Sequence, residues 1–74
     1  MEQINKKIRV HADSYYQFIK NEKSRTVFTD GFEKDGPDYY ILNCYVPVWP
    51  ETTMDEIVGH WVEFIIKLAK YGAI

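Results

Sequence analysis

One cysteine, Cys44, is all that this chain has, so no internal disulfide can form. No cysteine–histidine cluster has the spacing of a zinc site, which removes the other common reinforcement of small folds. No apolar run approaches the ~18 residues of a membrane-spanning helix, and residues 1–7 are too polar for a secretion signal. A free thiol without such a signal points to a reducing, cytoplasmic setting. Net charge is only −2, too little of either sign for a dedicated polyanion binder or an acidic tail. Phosphate-binding glycine loops, dinucleotide fingerprints and paired-carboxylate or Ser-His-Asp sets do not occur either.

With 74 residues the chain makes one domain, residues 1–74. A domain of this size buries only about 60% of the surface of its extended chain. Oligomerisation is the reinforcement left to it. Charge is unevenly spread: residues 1–28 carry six Lys/Arg against three Asp/Glu, and residues 29–74 carry three against eight, or +3 and −5. Twelve aromatics and 46% hydrophobic residues argue against disorder.

The clearest element is a long amphipathic helix from Thr53 to Tyr71. Thr53 and Glu56 have the spacing of a capping box, Pro50 lies upstream, and Gly72 stands where a left-handed C-terminal cap is wanted. Asp55 and Glu56 in the first turn and Lys67 and Lys70 near the last oppose the helix dipole, and Glu63 and Lys67 form a pair four apart. At about 100° per residue its apolar arc spans roughly 200°, wider than one neighbour covers. Either a second element covers the surplus or one flank, around Phe64 and Tyr71 or around Val62 and Ile66, meets another chain.

Before the helix, residues 4–12 alternate apart from Lys6 in the apolar register, and from Lys7 onward they read as a half-buried strand. Asp13–Lys23 reads as a short helix capped by Asp13 or Ser14, with Tyr15, Phe18 and Ile19 on one face; an extended segment is the alternative. Arg25–Asp30 reads as a short strand, and residues 30–38, with two Asp-Gly steps and a Gly-Pro, as a hairpin loop. Tyr39–Val48 is the strongest strand: Tyr40, Leu42, Cys44, Val46 and Val48 line one face, and Tyr39, Ile41, Asn43 and Tyr45 the other. The expected fold is therefore α+β in the order β-α-β-β-α, an antiparallel or mixed sheet of about three strands with the long helix across one face. A ββββα meander is the alternative.

No enzyme is expected. Cys44 sits mid-strand among apolar neighbours, a poor place for a thiolate paired with His11 or His60. The acidic stretch Asp30, Glu33, Asp35, Asp38 lacks the order of a calcium loop, and no metal, cofactor or small-molecule substrate is implied. A protein-binding regulator, inhibitor or adaptor of the size common among phage and mobile-element accessory proteins fits best. Its partner is another protein or a second copy in a homodimer. The candidate partner-binding residues are Tyr39, Ile41, Tyr45, Trp49, Phe64 and Tyr71. A single-stranded nucleic-acid module, with Tyr39 and Tyr45 as stacking platforms beside Lys7, Arg9 and His11, is the alternative. It is disfavoured because seven of nine basic residues are lysine.

Overall fold

A computed structural model describes residues 2–74. Strand β1 (Glu2–His11) leads into helix α1 (Ala12–Asn21), followed by β2 (Phe28–Asp35), β3 (Tyr39–Val48) and the long helix α2 (Met54–Lys70). The order is β-α-β-β-α and the class α+β. The three strands form one sheet in the order β1-β3-β2, with β3 antiparallel to both neighbours. β1 and β2 are therefore parallel to each other, and the α1 crossover carries the chain from one edge of β3 to the other. The meander alternative fails because residues 12–21 are helical.

Alternation along β3 sets the two faces of the sheet. Tyr40, Leu42, Cys44 and Val46 stand opposite Val10, Ile8, Lys6 and Ile4 of β1, and opposite residues of an antiparallel pair share a face. Both helices pack on this side. Val10, Phe18, Leu42, Cys44, Val46, Ile57, Trp61, Phe64 and Leu68 are buried together there. Phe18 of α1 meets Phe64 and Tyr71 edge-on, with ring centroids 5.6 and 5.9 Å away. Lys6, the polar exception in this register, lies 6.0 Å from the centre of the Trp61 ring, where its charge meets the π-face at the margin of the core.

α2 forms as its sequence requires. The Thr53 hydroxyl accepts the Glu56 amide at 3.2 Å. At the other end Gly72 has φ +77°, and the Gly72 and Ala73 amides return to the carbonyls of Ala69 and Leu68. Both orphaned ends are thereby satisfied. The Glu63–Lys67 pair forms at 3.0 Å, and Lys67 also reaches Glu22 at 3.3 Å, joining α2 to the exit of α1. Hydrogen bonds to Glu63 and Glu22 push the Lys67 pKa up.

Two local expectations are corrected. α1 begins at Ala12 with His11 at the cap position and no side-chain cap, so neither Asp13 nor Ser14 plays that part. Tertiary acceptors replace the cap: His11 N–H donates to Ala73 O and Ala12 N–H to Asp38 O. β2 occupies 28–35 where 25–30 was expected, and Asp30-Gly31 is a bulge inside it, not part of a loop. Gly31 has φ +96°, a conformation that suits a turn and a bulge equally. Pairing with β3 settles the matter, and it carries Glu33 and Asp35 out of the loop and into the sheet.

Candidate functional site

Among the described residues, no helix covers the opposite face of the sheet. Its residues fall into rows fixed by the strand register: Asn5, Tyr45 and Phe28; Arg9, Ile41 and Glu33; His11, Tyr39 and Asp35. Lys7 stands opposite Asn43. Read across the strands, this gives a basic edge on β1, an aromatic and aliphatic centre on β3 and an acidic edge on β2.

The centre is held in place by its neighbours. The Arg9 guanidinium lies 3.7 Å from the centre of the Tyr39 ring, and its Nε donates to Asp35 at 2.6 Å. One flat cation thus covers the tyrosine while pairing with the acidic edge. His11 meets Tyr39 edge-on at 5.4 Å. Phe28 and Tyr45 pair at 5.7 Å, as directly opposite aromatics do on a shared face. Asn43 donates its amide to the Asp30 carbonyl at 3.2 Å, which ties the bulge down onto the same face.

Trp49 extends this surface beyond the end of β3. It is 51% exposed and lines a groove with Phe28 and Pro47 on one side and Glu56 and His60 of α2 on the other, at the rim where the open face meets the helix. The Trp49 amide donates to the Thr52 hydroxyl at 3.1 Å, and the Thr52 amide returns to the Trp49 carbonyl at 2.9 Å. This reciprocal turn fixes the backbone that presents the indole. Pro47, inside β3, lies beyond Tyr45, where pairing with β2 has ended.

Four of the six residues singled out in the sequence, Tyr39, Ile41, Tyr45 and Trp49, therefore belong to one continuous surface. Phe64 and Tyr71 do not. Phe64 is 5% exposed and packs on Phe18 and Trp61, because it projects from α2 toward the covered face of the sheet. Tyr71 is half-buried on that same side, its hydroxyl donating to Glu22 at 3.3 Å. Burial, followed by the nearby Glu22 charge, raises its pKa. The exposed flank of α2 is the one around Val62 and Ile66. Phe28 is the member of the surface that sequence reasoning passed over: Val27 and Phe28 are adjacent apolar residues, and alternation alone does not say which faces inward.

No family model, curated protein or solved structure matches this chain. Its chemistry must be read from the surface itself. Cys44 lies on the covered side and is fully buried. Among the described residues, no group of three or more His, Cys, Asp or Glu side chains gathers as a metal site would, and no helix is long and apolar enough to cross a membrane. The open face offers rigid aromatic area, one stacked arginine and a charge gradient from edge to edge. Those are the components of recognition.

Proposed function

We propose that this protein acts by binding another protein, as a small regulator, inhibitor or adaptor, and that the open face of the sheet is the surface it uses. The observation that carries this reading is the banding of that face: Lys7 and Arg9 on one edge, Tyr39, Ile41 and Tyr45 in the centre, Glu33 and Asp35 on the other edge. Tyrosine, phenylalanine, tryptophan and arginine are the residues enriched at protein interfaces, where a rigid ring buries large area at small entropic cost. With Arg9 and Asp35 paired to each other, the complementary partner presents acidic groups to Lys7 and basic groups to Glu33 around an apolar centre. The function needs no catalytic group, and the single thiol supports a cytoplasmic setting.

Single-stranded nucleic acid would use the same aromatics, with the Phe28–Tyr45 pair as its stacking platform. The face disfavours it. Arg9 is already paired with Asp35, and the acidic β2 edge repels phosphate. One experiment separates the two readings. Immobilised wild-type chain and a Phe28→Ser/Tyr45→Ser variant are exposed to lysate, after circular dichroism establishes that both are folded. A protein held by the wild type and lost by the variant is the expected result. Equal capture by both would remove the open face as the binding surface. Binding to a single-stranded oligonucleotide that falls steeply with salt would replace the protein reading with the nucleic-acid one.

A further inference from the structure

The covered side of the molecule leaves an apolar surface that the open sheet face does not explain. Met54, Val58, Val62, Ile65 and Ile66 of α2 are exposed, from 37% at Ile65 to 67% at Met54. At about 100° per residue the stripe centres on Val62 and adjoins the buried arc of Ile57, Trp61, Phe64 and Leu68. α2 thus has two apolar faces, and the fold uses one. On one side the stripe is walled by Lys7 and Ile8 of β1, and Trp61, which lines the same groove, keeps its Nε1–H buried without an acceptor among the described residues.

We infer that this stripe is the interface of a two-fold homodimer in which the α2 helices of two copies pack antiparallel, with Val62 near the axis. The charge order of the helix selects a second copy as the occupant. The one charged residue inside the stripe is Asp55, near the N-terminus, and the stripe is flanked at its other end by Lys70. With Val62 opposite itself, antiparallel packing brings Val58 against Ile66 and places Asp55 beside Ala69 and Lys70 of the other copy. Each ion pair occurs twice. The helix dipoles, already matched by Asp55 and Glu56 in the first turn and Lys67 and Lys70 in the last, also run head to tail. A parallel arrangement would set Asp55 against Asp55 and Lys70 against Lys70.

The β1 edge of the sheet is disfavoured as the contact. β1 carries Lys6, Lys7 and Arg9, and Lys6 stands in the register that faces the core. Pairing two such edges antiparallel aligns like charges, which is how natural sheets prevent edge-to-edge association. A stable interface buries about 800 Å² per partner. The stripe's five exposed apolar residues are few against the roughly 20–30 a side of such an interface, so the dimer is concentration-dependent. Lys7 borders both surfaces, and the two readings are separated by substitutions that touch only one of them, Val62→Glu here and Phe28→Ser/Tyr45→Ser on the open face.

Sedimentation equilibrium over a concentration series tests the dimer. The wild type is expected to pass from monomer to dimer, and Val62→Glu to raise the dissociation constant at least about a hundredfold, because two carboxylates then meet at the axis. Asp55→Lys is expected to raise it about tenfold, and the double exchange Asp55→Lys/Lys70→Glu to restore it. Circular dichroism on each variant separates loss of association from loss of folding; should Val62→Glu unfold, the charge exchange decides. A wild type that stays monomeric up to about 1 mM, or a dimer indifferent to Val62→Glu, overturns the interface. A charge exchange that fails to restore association overturns the antiparallel arrangement.

Discussion

Cys44 shows what a single buried group does to the pH behaviour of a small domain. Burial between Leu42 and Val46 pushes its thiol from 9.0 up to about 11. The folded chain thus holds the proton more tightly than the unfolded one. The resulting stability is complete below pH 9 and is lost as pH rises toward about 11, on the order of 2–3 kcal/mol in all. Urea titrations between pH 8 and 11 should show a larger loss in the wild type than in Cys44→Ala, where only Tyr71 and Lys67, both raised, still contribute at the upper end. At the level of single residues the sequence was most informative where strict alternation applied. The inward register of Leu42, Cys44 and Val46 and the outward one of Tyr39, Ile41 and Tyr45 could be read directly. Phe64 could not be placed, because an arc of roughly 200° is wider than any one contact and nothing in its periodicity says which part turns to the sheet.

Elements with two marked ends were the legible ones. α2 runs between the Thr53 cap and the Gly72 turn as its residues specify, and Thr53→Ala is expected to cost about 1 kcal/mol, measured as a shift in the denaturation midpoint at unchanged slope. α1 and β2 were less legible because contacts distant in sequence set their boundaries. α1 starts where Ala73 and Asp38 supply acceptors for the His11 and Ala12 amides, and local capping residues had no say in it. β2 continues through Asp30-Gly31 because Phe32, Glu33 and Asp35 find partners on β3. This extension also builds the acidic edge of the candidate binding face, which is why the charge banding could not be foreseen from the sequence.

The whole molecule balances a thin core against two outward-facing apolar surfaces. Eleven buried hydrophobic residues among those described make up that core, and Phe18, fully buried at the junction of α1 and α2, contacts Tyr15, Phe64 and Tyr71. Truncating it removes the main link between the helices. Phe18→Ala is expected to cost about 3–5 kcal/mol, most or all of the stability of a domain this small, and to leave the chain largely unfolded at 25 °C by circular dichroism. The domain has little margin, so the proposed second copy on α2 would stabilise the fold as well as assemble it.

The strand order has a consequence for how the protein comes into being. β3 is the middle of the sheet yet the last strand in the chain, and its far end pairs Val48 with Glu2. As the polypeptide is synthesised, β1 and then β2 emerge with their hydrogen-bonding groups facing water and no neighbour to accept them. Only when residues 39–48 follow can either strand close, β2 first across its short turn and β1 afterwards across the longer of the two strand-to-strand spans. Until that moment the nascent chain carries two unpaired strands, and the lysines of β1 keep the first of them from finding the wrong partner.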